Sequence, residues 1–278
     1  MRTFTLIFFL ILALSFPLLA QISPQENRSI VSEDFTKHRP RQKRRRHRVS
    51  RTYRLASIPL DTPLDKSDPN TLKVGVTLWT VQRIDDGRSR KEVAKRVEAD
   101  TQFREGDLLR LSIESPRAGY LYVVDRDWFT NGSSGETNLI FPVRGEDNRL
   151  QAGKLIEIPA ERHAPFKAAP KPNQAGEMLT ILITKAPLSL PLSNNFLPIS
   201  QAQLTQWENM WSGRTERFEM NGGAGQVRTL PEQQAAATGG IRQLTRDDPA
   251  PQTIYFLTPR STDGLLFNLL LSYVDTDR

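Results

Sequence analysis

From residue 71 onward the chain consists of short runs in which apolar and polar residues alternate at every second position, separated by turn residues, and this predicts strands. Residues 72–84 open the pattern, with Val74, Val76 and Leu78 set against Gly75, Thr77 and Trp79. A second alternation at 108–113 follows the turn Arg104-Glu105-Gly106-Asp107. Further strands are expected at 120–124, 139–141 and 155–158, and the β-branched run 178–184 reads as a buried strand. Residues 85–90 read as a polar loop around Gly87, and 125–138 as a long loop. One helix is expected, with Ser200 as N-cap, Gln203 three residues later, and Leu204, Trp207, Met210 and Trp211 on one face before Gly213. Residues 221–251, rich in Gly, Ala and Gln, predict a mobile excursion with helical character over 231–237. The runs 253–257 and 265–274 read as a C-terminal hairpin. The fold class expected is mainly β: an antiparallel β-sandwich-like domain with a short helical insertion over 187–251 and a C-terminal hairpin over 252–278.

The N-terminus has a different pattern. Arg2 precedes an almost unbroken apolar stretch over 4–14, Pro17 breaks it, and the chain turns polar after Ala20. This is the layout of a secretory signal peptide over 1–20, with Gln21 as the new N-terminus. The rival is an uncleaved anchor, but the cations then lie on the wrong side for the positive-inside tendency. The product is expected to be exported, and so periplasmic, cell-surface or secreted.

Export makes the composition informative. The 278 residues contain no cysteine. That removes a disulfide scaffold, a thiol nucleophile and thiolate zinc sites, so a hydrophobic core must stabilise the fold. The formal charge of +7 is local: ten Lys and Arg between Lys37 and Arg54, with no acid among them, leave the rest of the chain at −3. Residues 21–70 are therefore expected to be a disordered basic arm or linker. In an exported protein, Arg44, Arg45 and Arg46 suit an anionic lipid or polymer surface; nucleic acid is disfavoured as a partner.

Several ordered motifs carry a family resemblance: Phe103-Arg104-Glu105-Gly106-Asp107, Leu109-Arg110-Leu111, Gly119-Tyr120-Leu121-Tyr122-Val123, Leu139-Ile140-Phe141-Pro142, Asn148, Ala152-Gly153 and Ile158-Pro159. Together they resemble the bacterial domain-of-unknown-function family 4384 over roughly residues 72–186. The resemblance implies a bacterial, usually extracytoplasmic β-sandwich-like module, often beside other domains and without an assigned catalytic residue.

Candidate chemistry is sparse. Histidine occurs only at His38, His47 and His163, none beside a nucleophile motif, and Gly222-Gly223-Ala224-Gly225 lacks the Lys of a phosphate loop. Asp125, Asp127 and Glu136 stand at positions 1, 3 and 12 of a calcium-loop spacing, but Phe129 and Thr130 occupy positions that need an oxygen ligand and a glycine. Trp128 and Phe129 in the same segment suit contact with a protein or glycan partner in the envelope. No cofactor is expected. The reading is an exported, non-catalytic binding or structural module. The alternative is a carboxylate-dependent hydrolase using 187–251 as a lid, which requires Asp125, Asp127, Glu136 and Asp147 to converge.

Overall fold

The computed structural model describes residues 31–41, 71–85, 90–220, 222–237 and 243–274, and the structural statements below concern these residues. The signal layout at 1–20, the loop around Gly87, and Arg44, Arg45 and Arg46 lie outside them.

The alternation in the sequence becomes two antiparallel sheets packed face to face. The first carries, in spatial order, β11 (Gly213–Glu219), β12 (Thr253–Pro259), β1 (Leu72–Asp85), β3 (Leu108–Glu114) and β7 (Ile156–Ile158). In the same sheet β2 (Arg90–Val97) pairs with β1, and β8 (Phe166–Lys167) pairs with β3. The second carries β10 (Leu197–Pro198), β5 (Ser134–Phe141), β4 (Gly119–Phe129), β9 (Gln174–Thr184) and β13 (Gly264–Ser272), with β6 (Arg149–Leu150) on β4. The main core lies between the sheets: Val74, Val76, Leu78, Leu111 and Ile113 face Leu121, Val123, Leu179, Ile181 and Phe267. Each set comes from every second position of its strand, as a period of two requires. Pro142 and Pro159 follow the last residues of β5 and β7.

The outer faces are also covered, so strands such as β1 are buried on both sides. On the second sheet, α2 (Gln201–Trp211) lays Leu204, Trp207 and Trp211 over Tyr122, Val124, Leu182 and Leu266. Ser200 caps it as expected, accepting a hydrogen bond from the Gln203 N–H at 3.2 Å. Met210, expected on the buried face, is 44% exposed: Leu204, Trp207 and Trp211 already fill the stripe that the sheet can cover.

The outer face of the first sheet gives the largest departure from expectation. Residues 31–41, expected within a disordered arm, are folded onto it. Helix α1 (31–36) buries Val31 and Phe35 against Ile254 and Phe256. Arg39, one of the ten cations, is 2% exposed and grips Glu114 with two hydrogen bonds of 3.0 and 2.5 Å. It also donates to the carbonyls of Asp248 and Pro249. Self-repulsion among cations is outweighed here because the fold brings an acid and several carbonyls to one of them.

Residues 222–237 and 243–250, expected in a mobile excursion, complete this outer layer. Helix α3 (Leu230–Ala237), foreseen over 231–237, packs Ala235 and Ala236 on Leu155 and Leu244. Its Glu232 forms a buried ion pair with Arg96, and Arg228 pairs with Glu157 at 2.7 Å. The guanidinium groups of Arg96 and Arg228 lie 5.3 and 4.9 Å from the ring centre of Trp79, whose Nε1 donates to the Ser112 hydroxyl at 2.7 Å. The segment 187–251 therefore holds two helices and two strands, serving both sheets.

Two strand readings also change. The loop expected at 125–138 is a hairpin: β4 runs on to Phe129, β5 begins at Ser134, and only 130–133 turn. The C-terminal runs are strands, but β12 lies in the first sheet and β13 in the second, so they make a corner and not a hairpin. The highly charged β2 gave no apolar alternation to read, since a strand at the margin of a sheet needs only a few buried positions, here chiefly Ala94 and Arg96.

Candidate functional site

The core-facing positions of β4 run Leu121, Val123, Asp125 and Asp127, so the strand turns from apolar to acidic toward its end. The neighbouring strands change in the same place. On β9, Leu179 is followed outward by Glu177, which stands opposite Asp127 in the register. After β13 comes Tyr273, whose hydroxyl donates to Glu177 Oε1 at 3.0 Å. One end of the sandwich interior is thus lined by three carboxyl groups and a phenol.

Asp127 is fully provided for. It accepts from Lys171 Nζ at 2.7 Å, Gln174 Nε2 at 3.1 Å and the Glu136 backbone N–H at 3.2 Å. Gly135 makes this possible, because a Cβ there would fall 2.5 Å from Asp127 Oδ2. Gln174 bridges to Glu177 Oε1 at 2.9 Å with the same amide nitrogen.

Asp125 and Glu177 differ in kind. Burial, then repulsion and hydrogen bonding with Glu177, push the Asp125 carboxyl up to about 8. Glu177 is also raised, chiefly by burial. No protein donor reaches Asp125 Oδ1 or Glu177 Oε2, although both atoms are closed off from solvent. The contact between the two acids is therefore a hydrogen bond only when one of them carries a proton, and they titrate as a pair.

A cavity of about 150 Å³ opens between the sheets beside this pair. Apart from Asp125, Glu177 and Tyr273, its wall is mainly apolar, with Leu78, Ile140 and Leu179 among the lining residues. Phe166 and Phe196 also line it, with ring centres 6.4 Å apart, and Phe196 is 49% exposed. From the segment 187–251 only Phe196 reaches the cavity wall; α2 and α3 cover the outer faces of the sheets and do not form a lid.

The calcium spacing selected two residues of this cluster and missed their partner. Asp125 and Asp127 do share a face, but Glu136 is exposed and meets Asp127 only through its backbone N–H. Among the described residues no group of three or more His, Asp or Glu side chains is arranged to hold a metal ion. The physical reason is the strand extension: a hairpin sends alternate side chains to opposite faces, whereas a calcium loop turns them inward. Asp147 lies elsewhere, bound by Arg149 and Lys154, and the Arg149 hydrogen bond chiefly holds its carboxyl well below the usual range. The four carboxylates of the hydrolase reading therefore do not converge. Trp128 and Phe129 are half-buried at the end of β4 and form no exposed platform. Glu177 and Tyr273 gave no sequence signal, since β4 meets β9, and β9 meets β13, only through long-range pairing.

Neither the comparison with curated proteins nor that with solved structures yields a match. The family comparison does: residues 102–187, which hold β3 to β9 and with them Asp125, Asp127 and Glu177, match the domain of unknown function DUF4384.

Proposed function

We propose that the protein is an exported, non-catalytic binding module of the bacterial envelope that takes its ligand in the cavity beside Asp125 and Glu177. The cavity itself carries this reading: an apolar space with a few convergent polar groups at one wall is the usual form of a small-ligand site. It is framed largely by strands of both sheets, so little ordering is needed on binding. The signal layout at 1–20 and the extracytoplasmic habit of the family it resembles support export. Protein recovered from the native envelope should then begin at Gln21 by mass spectrometry.

The binding reading is tested by thermal unfolding of the mature protein against a panel of small apolar and amphipathic compounds. A ligand at a hundred times its Kd should add about 2.7 kcal/mol of stability. Leu179→Phe, which projects a ring into the cavity, should abolish the response while the protein remains folded. A panel without any response ends the reading.

The basic arm has its own role in the proposal. The cations Arg44, Arg45 and Arg46, free of acids in the sequence around them, suit attachment to an anionic surface. Mature protein should bind anionic vesicles at low salt, and the triple Ala variant at these arginines should bind more weakly. Equal binding would remove the tether.

A carboxylate-dependent hydrolase is the second reading, now resting on the adjacent Asp125 and Glu177 carboxyl groups, both raised chiefly by burial. Acids in direct hydrogen-bond contact leave no space for a sugar between them, which disfavours the wider separations of glycosidases; the arrangement is closer to two carboxyls sharing one proton. Turnover of any hydrolysable panel compound, lost in Glu177→Gln, would establish it.

A further inference from the structure

The cavity joins two features that constrain what it can hold. Its volume of about 150 Å³ equals that of an engineered apolar cavity that accepts benzene, so it suits an apolar body of about six carbons. Its polar wall carries the carboxyl groups of Asp125 and Glu177, whose buried oxygens Oδ1 and Oε2 have no hydrogen-bond partner other than a proton held between the two acids. A ligand that brings hydrogen-bond donors and positive charge to that wall meets a need the protein leaves open.

Charge complementarity at the site has to be taken over every group that faces the pair. Asp127 is matched by Lys171, and Tyr273 is a neutral phenol whose ionisation is pushed up by burial and by Glu177. Arg110 borders the cavity, but its guanidinium is committed to the carbonyls of Pro159, Ala160 and His163 and to Glu92. Lys167 also borders it and is exposed. Asp125 and Glu177 are therefore left without an ion-pair partner of their own among the described residues, Lys171 being bound to Asp127.

Building on the binding reading above, we infer that the cavity is a site for a small primary ammonium on an apolar body, with the ammonium at the wall formed by the Asp125 and Glu177 carboxyl groups and the body against Leu78, Ile140 and Leu179. Once the shared proton leaves, the three N–H donors of an ammonium can serve both carboxylates at once, which an alcohol cannot do and an anion opposes. The incoming charge takes the place of the shared proton, so binding releases a proton and strengthens as pH rises through the titration of the pair.

Isothermal titration of the mature protein with n-hexylammonium, n-hexanol and n-hexanoate at pH 6, 7 and 8 tests this. An alkylammonium resembles the lysine side chain and stays charged throughout this range. The ammonium should bind at least about tenfold tighter than the alcohol at pH 8, a difference of 1.4 kcal/mol, and hexanoate should bind weakest. Its affinity should rise with pH, and its heat should change between buffers of different ionisation enthalpy as a released proton demands. In Glu177→Gln the preference for the ammonium should vanish while hexanol still binds. Equal affinity of ammonium and alcohol in the parent protein would overturn the ligand class but leave the cavity as a binding site. Absence of binding by all three would overturn this inference, and the panel above decides separately whether the binding reading fails too.

Discussion

At Asp125 the fold retains a proton that the unfolded chain gives up, and this fixes the direction of a pH effect. The ordinary carboxyl value of 3.8 is raised to about 8, so between these values the folded state binds more protons than the unfolded one. Stability from this group is full below about pH 4 and falls as pH rises through the window, by up to about 1.4 kcal/mol per pH unit for one proton. Asp125→Asn replaces the protonated acid with an amide that still donates to Glu177 and has nothing to lose. The variant should show a flatter stability profile from pH 5 to 8 and exceed the parent at pH 8, read by urea denaturation at each pH. Parallel profiles would mean that no proton is held at this position. The sequence drew attention to Asp125 through a spacing argument that supplied the wrong companion. Glu136 was selected because it lies the right number of residues onward. Glu177 is the true neighbour because β4 and β9 pair in a particular register, and no local pattern contains that information.

The element that best shows how context overrides local chemistry is the docked segment 31–41. Read alone, Lys37, Arg39 and Arg41 belong to a like-charged run; in the fold, Arg39 fills a polar hole made by Glu114 and the carbonyls of Asp248 and Pro249. The strand periodicities of β1, β3, β4 and β9 were legible because burial on the inner face is written into every second residue. The outer layer was not, because Trp79, Arg96, Glu157 and Arg228 are covered by segments distant in sequence, and their burial depends on who arrives. Arg39→Ala leaves Glu114 buried without its partner and should cost roughly 3–5 kcal/mol, the range for a broken buried pair. Chemical denaturation measures the loss, and limited proteolysis should cut near 31–41 first. A change below about 1 kcal/mol would mean the pair is dispensable. Gly75 reports on the same interface from the sheet side. A Cβ there would stand 2.5 Å from Pro251 Cγ and 2.7 Å from Phe35 Cζ. Gly75→Ala should therefore cost about 1–3 kcal/mol by overpacking, and Gly75→Ala combined with Phe35→Leu should recover part of it in the same assay.

At the scale of the whole molecule, the family match and the folded unit do not coincide. The matched residues 102–187 supply β3 to β9, but β1 and β12 stand at the centre of the first sheet and β13 borders β9 along nine residue pairs of the second. Without them β3 keeps only β7 and β8 as neighbours, and β9 loses one flank. The inner face would lose Val74, Val76, Leu78, Tyr255, Leu265, Phe267 and Leu269, seven of the 26 buried residues of the main core. It would expose Leu111, Ile113, Leu179 and Ile181, and with them the unpaired edges of β3 and β9. Tyr273 would also be absent, so Glu177 would lose its phenol donor and the cavity one of its walls. A fragment of residues 102–187 should consequently aggregate or behave as a loosely packed state, without near-UV circular dichroism and without a cooperative urea transition. The span 31–274, which retains both sheets and both outer layers, should unfold in one cooperative step. A sharp two-state transition of the 102–187 fragment would show that the matched segment carries its own core, and that β1, β12 and β13 are additions to an already stable fold.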